Sequence, residues 1–200
     1  MKNNLLLGIW RHLFPVPSAI SQNEVARSAK HNQARLEFMT PEHHRVRNLV
    51  VRELPRIGTP LTPDWIAHQM NLPIEKVVAI LDDLEKNMTF LFRNTEGAVA
   101  WAYPVTVEPT PHRVTLSTGE QIYAAWGIDA IAVPFVQGQL RQEHLSARIE
   151  TVCVHCRQPI RLDIDSDLAI KSVELGAEPL IFAPLVNFET LKDPSIIDAF

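Results

Sequence analysis

Cysteine is nearly missing from this sequence: there are two in 200 residues, Cys153 and Cys156, three positions apart. A secreted scaffold held by disulfides would carry more of them, spread along the chain, so the expected compartment is reducing and cytoplasmic. Long apolar runs are missing too. The nearest approach, Leu5 to Trp10, is preceded by Lys2 and followed at once by Arg11 and His12. It is too short for a bilayer span and lacks the small-residue cleavage pattern of a signal peptide. No membrane partner is expected, and the run reads as a short amphipathic helix that docks on the body or on a second copy, leaving a homodimer open. Excess positive charge is also absent. Lys and Arg number 19 against 23 Asp and Glu, a net charge of -4, which argues against a phosphate-backbone partner. There is no Gly-rich phosphate loop, no Ser-His-Asp pattern and no internal repeat. What remains is 46% hydrophobic and 21% charged, the composition of a folded chain with a real core.

Residues 1–40 read as a basic helical arm. Pro15, Pro17 and Ser18 break any helix begun at Asn3, while 21–39 is polar with helical potential. Glu24 and Glu37 face Lys2, Arg11, Arg27, Lys30 and Arg35, and a solvated arm is preferred to a nucleic-acid contact. Residues 41–104 read as a winged helix. Thr40 followed by Pro41, and Thr62 followed by Pro63, are helix starts. Val46, Leu49, Val50 and Leu54 recur at helical spacing, as do Trp65, Ile66 and Met70, and then Val77, Ile80, Leu81 and Leu84. Phe90 to Phe92, a polar turn at 94–97 and Ala98 to Trp101 complete the unit as a hairpin. The third helix would be the groove reader of a DNA-binding regulator. Its charges, Glu75, Lys76, Asp82, Asp83, Glu85 and Lys86, sum to -2, the wrong sign for approaching a polyanion. A structural or dimerisation role is expected instead.

From Val105 the texture changes to short strand-like runs at 105–107, 113–116, 147–152, 160–164 and 180–182. One helix, from Tyr123 to Val136, lies among them. Ala124, Ala125, Trp126, Ile128, Ala130, Ile131 and Val133 make it apolar on nearly every side, so it should be buried, ending at Pro134 and Phe135. The fold class is α+β, with this helix packed on a small sheet in a domain spanning 105–200.

Two stretches are more specific. Pro109 to Val114 (Pro-Thr-Pro-His-Arg-Val), then Gly119, then Ile122 to Ile131 (Ile-Tyr-Ala-Ala-Trp-Gly-Ile-Asp-Ala-Ile) form one, and Cys153 to Ile160 (Cys-x-x-Cys-x-x-Pro-Ile) the other. In this order, after a winged helix, they resemble the organomercurial (alkylmercury) lyase family over about residues 40–190. The resemblance implies carbon–mercury cleavage by two cysteines, which grip mercury, and an aspartate, which protonates the departing carbon. Thiolates bind soft metals far better than oxygen donors do, and a carboxyl group can act as general acid. The family aspartate matches Asp129. Three residues before it, where the family has its first reactive cysteine, stands Trp126. The second falls most naturally at Ala183. Both reactive thiols are gone, and an indole at 126 is expected to fill part of the pocket. The chain also ends early beside full-length relatives.

Cys153 matches a family cysteine outside the reactive pair. With Cys156 it forms half of a zinc-type site, which His155 or His144 would have to extend. Free thiols, a soft-metal site (Hg, Zn or Cu) and a redox disulfide all stay open. Asp129 reads either as a proton donor or as a hydrogen-bonded structural acid. His112 and Arg113, fixed by flanking prolines, are expected to point inward and brace the core; His43 and His44 are expected to be solvated. Two function classes follow: a family homologue without lyase activity, kept for binding a soft metal or small molecule, and a lyase using Cys153 and Cys156 as displaced ligands with Asp129 as acid. A winged-helix DNA-binding regulator is the weaker third.

Overall fold

A computed structural model describes residues 6–9, 12–15, 36–87, 91–152, 157–166 and 169–173. The chain divides into two units, one holding the N-terminal residues up to Met39 and the other beginning at Thr40.

In the first unit, β1 (Leu6–Ile9) pairs antiparallel with β2 (His12–Pro15), Leu6 opposite Pro15 and Ile9 opposite His12. The helix expected near Leu5 in the basic arm is therefore a hairpin. Gly8 carries a large helical penalty, and Pro15 fits a strand end but not a helix interior.

The second unit begins with three helices. Helix α1 (Pro41–Ile57) is capped by Thr40, whose hydroxyl accepts the His43 N–H, and it ends on Gly58 in the left-handed region at φ 72°. His43 is buried, bonded to Thr40 and, at 3.4 Å, to Asp83, so it is not the solvated residue expected. Helix α2 (Pro63–Met70) starts on Thr62 and stops at Asn71, and α3 (Ile74–Lys86) follows. Val46, Val50, Leu54, Ile66, Val77, Leu81 and Leu84 form their shared core.

Then comes a hairpin, β3 (Leu91–Arg93) and β4 (Val99–Ala102), which does not stand apart as a wing. It continues into β5 (Val105–Thr106), β6 (Arg113–Leu116), β7 (Gln121–Ala124), β8 (Ala147–Val152), β9 (Pro159–Ile164) and β10 (Ile170–Val173). All eight join one antiparallel sheet in the order β10-β9-β8-β6-β7-β5-β4-β3. The alternation of the sequence sets its two faces. Ile122, Val114, Ile149 and Leu162 lie opposite one another across four strands and are all buried. On the other face Glu150 pairs with Arg113 and Arg161, and Arg148 with Asp163.

Helix α4 (Gly127–Arg141) packs against β5, β6, β7 and β8 and also against α1. It begins later and ends later than expected. Tyr123 and Ala124 belong to β7, Trp126 is extended (φ -135°, ψ 167°), and the helix runs through Pro134. Strand β7 and helix α4 are both largely apolar, so composition alone does not mark the switch between them. A second internal proline, Pro55 in α1, removes the N–H that would bond the Val51 carbonyl one turn back. The buried Gln137 of α4 supplies the missing donor, its Nε2 lying 2.8 Å from that oxygen. The α1–α4 contact is thus built around a gap in one helix filled by a side chain of the other.

Candidate functional site

The N-terminus of α4 is where the sequence concentrated its candidates. Trp126 is the N-cap residue and Asp129 sits three residues on, so the carboxylate folds back and accepts the Trp126 backbone N–H at 3.1 Å through Oδ2. Asp129 has no exposed surface, and its Oδ1 has no partner among the described residues. Burial without a counter-charge disfavours the ionised form and pushes its pKa up from 3.8 to about 7, against the smaller opposing pull of the Trp126 N–H. Near neutrality this group holds its proton about half the time.

The turn before β6 is pinned beside this helix start. The Thr110 hydroxyl donates to the Ala124 carbonyl at 2.7 Å and accepts the His112 N–H at 3.2 Å, while the Ala124 N–H donates to the His112 carbonyl at 2.9 Å. The His112 ring then reaches Thr151 of β8, Nδ1 to Oγ1 2.6 Å. Partial burial lowers the pKa of that ring and favours its neutral form. Gly127 is why these groups can come so close. A Cβ there would stand 3.2 Å from Thr151 Oγ1 and 3.6 Å from His112 Cε1. Trp126-Gly127, His112 and Thr151 therefore gather at one end of α4. Thr151 lies two positions before Cys153 in the sequence.

Other expectations fare differently. Arg113 does not brace the core; it is exposed on the outer sheet face and ion-paired with Glu150, because it alternates with buried Val114. His112 is half-buried and does point toward α4. Trp126 does not fill an interior pocket: 51% of its surface is exposed. Its indole meets that of Trp101 edge to face, ring centres 6.4 Å apart. Cys153, His155, Cys156 and Ala183 lie outside the described residues. His144 is exposed, and among the described residues no three His, Cys, Asp or Glu side chains gather into a metal-binding group. No described helix is long and apolar enough to cross a membrane.

Sequence reading missed Thr110, Thr151 and Gln137. A glycine at the first position of α4, where most residues would serve, was the available sign of a close approach by another segment. Nothing local marks Thr151, because its partner is 39 positions away.

Residues 105–184 match the family model for alkylmercury lyase. No curated protein matches the chain. Among solved structures the chain is similar in fold to the mercury-bound form of MerB2, with a TM-score of 0.60 at 14% identity. That likeness covers 72% of this chain and 66% of the other, so this chain spans a little under two thirds of that protein's length. Residues 105–184, the stretch that holds the buried Asp129 at the start of α4, are thus similar to the alkylmercury lyase family model, and the chain shares the fold of a mercury-bound protein.

Proposed function

We propose that this chain is a family homologue that does not cleave carbon–mercury bonds and has been turned to binding, with Cys153 and Cys156 as its soft-metal ligands. The observation that carries this reading is Trp126. The family's first reactive thiol is replaced by an indole that lies half in solvent against Trp101. An indole offers mercury no thiolate, and Ala183 at the second position offers none either. Loss of both soft ligands removes the grip that makes a carbon–mercury bond breakable, whatever becomes of the acid.

A second reading is favoured by one specific observation, the full burial of Asp129 with Oδ1 unpartnered among the described residues. A buried carboxyl with a pKa of about 7 is poised to give up a proton at neutral pH. In that reading Cys153 and Cys156 bind the organomercurial as thiolates. The carbon–mercury bond breaks with its electron pair going to carbon, carbon takes the Asp129 proton, and Hg(II) stays on the two sulfurs. Water returns a proton to the carboxylate.

Benzene release from phenylmercury in the presence of excess thiol separates the two. The first reading predicts no release above the thiol-only background, together with Hg(II) or Zn(II) binding that disappears in the Cys153→Ser/Cys156→Ser variant. Turnover abolished by that variant and by Asp129→Ala would instead establish the lyase.

A further inference from the structure

Phe92, Trp101 and Trp126 enclose a surface recess of about 370 Å³, with Glu108 and Arg93 on its rim. The planes of the two indoles meet at 68°, so they form adjacent walls of a corner. Phe92 and Trp126 leave 48% and 51% of their surface in water, an unfavourable arrangement for large rings unless something covers them. The charges around the corner favour a cation. Glu108 accepts the Trp101 indole N–H at 2.6 Å, a neutral donor, and among the described residues it has no ion-pair partner to offset its negative charge. Arg93 is held by both Asp82 and Glu85, each at 2.6 Å, so two carboxylates outweigh its one positive charge.

We propose that this corner binds a small organic cation of the quaternary ammonium class, seated against the faces of Trp101 and Trp126 with Glu108 as counter-charge. A methylated nitrogen suits the site better than a primary ammonium, which would bring three N–H donors to a rim with few acceptors. The inference goes beyond the reading above and does not involve Cys153 or Cys156, so a titration here and the phenylmercury assay fail independently.

The test is a titration of the full chain with choline and with 3,3-dimethylbutan-1-ol, its uncharged isostere, followed by calorimetry and tryptophan fluorescence at low salt. Choline is expected to bind in the millimolar range, about 10-fold more tightly than the alcohol. Glu108→Gln, which keeps an acceptor for the Trp101 N–H, and Trp126→Ala, at an exposed position, should each weaken choline by about 5-fold or more. Circular dichroism establishes that both variants are folded. Equal binding of choline and the alcohol, no effect of either variant, or no heat or quenching by choline up to about 100 mM would overturn the proposal. A peptide carrying trimethyllysine that bound far more tightly than choline would replace the small solute with a protein partner.

Discussion

Replacing Asp129 by asparagine should change the way stability depends on pH. The carboxyl is fully buried, one oxygen is without a partner among the described residues, and its pKa rises from 3.8 to about 7. Below pH 3.8 the group is protonated in the folded and unfolded chains alike, and it makes no difference to stability. Between there and about pH 7 the unfolded chain has released its proton and the folded chain has not. Unfolding is then favoured by about 1.4 kcal/mol for each rise of one pH unit. The stability present at low pH is therefore lost as pH climbs, and the loss levels off above the folded value at about 4 kcal/mol. Asparagine keeps the oxygen that accepts the Trp126 N–H and carries no titrating proton, so it removes this slope and leaves the contributions of all other groups common to both proteins. Urea unfolding of the two chains at a series of pH values isolates the effect. The stability of Asp129→Asn relative to the parent should increase by about 2–3 kcal/mol between about pH 5 and pH 8. Any fixed gain or loss from the amide itself shifts the whole curve without tilting it. Parallel curves would mean that Asp129 is already ionised in the fold, and the desolvation argument would be refuted.

Gln137→Leu should cost about 1–3 kcal/mol, because the Val51 carbonyl loses the donor that stands in for the absent N–H of Pro55. In a Pro55→Ala background the helix can supply its own N–H, so the same substitution should cost measurably less in a double-mutant cycle of denaturant unfolding. Gly138→Ala should destabilise by about 1–3 kcal/mol on thermal melting, since the new Cβ would stand 2.6 Å from the backbone oxygen of Glu143, which cannot swing away. Trp126→Cys combined with Ala183→Cys should raise benzene release from phenylmercury above that of the parent chain. The gain should fade as pH rises through about 7, where Asp129 gives up its proton; a double variant that binds Hg(II) yet shows the same rate as the parent would separate metal capture from proton delivery.

The helices of the second unit were legible because their signals are local. Thr40 and Thr62 before prolines mark helix starts that the structure reproduces. The strands 113–116, 147–152 and 160–164 were legible for the same reason, since strict alternation separates Val114 and Ile149 from Arg113 and Arg148. The start of α4 was not. An apolar stretch running from Ile122 to Val136 satisfies both a buried strand and a buried helix, and the break at Trp126 comes from hydrogen bonds to a turn more than ten residues earlier. The same local logic makes Pro134 a helix end, yet packing of Val133 and Val136 in the core holds the helix together across it. The outward turn of Arg113 was written in the alternation of its own strand, but the prolines at 109 and 111 suggested a rigid inward brace. Partners distant in sequence, such as Thr151 for His112 and Gln137 for Val51, leave no trace in periodicity.

The geometry at α4 places different constraints on positions 126 and 129. Trp126 contributes its backbone to the helix start: the N–H satisfies Asp129 Oδ2 and the carbonyl accepts the Ala130 N–H at 3.2 Å. Its side chain leaves the body and lies on Trp101, so almost any residue able to adopt an extended N-cap conformation fits there without disturbing the core. Asp129 has no such freedom. Its carboxylate holds the cap from inside, and a smaller apolar residue would leave both a void and an unpaired N–H. Folding alone is therefore sufficient reason for an acid at position 129, whatever side chain stands at 126. The presence of Asp129 consequently says little about chemistry. Both functional readings place a soft metal on Cys153 and Cys156 and differ in whether Asp129 delivers a proton to carbon, so benzene release by the parent chain, set beside Asp129→Ala and the double serine variant, distinguishes them.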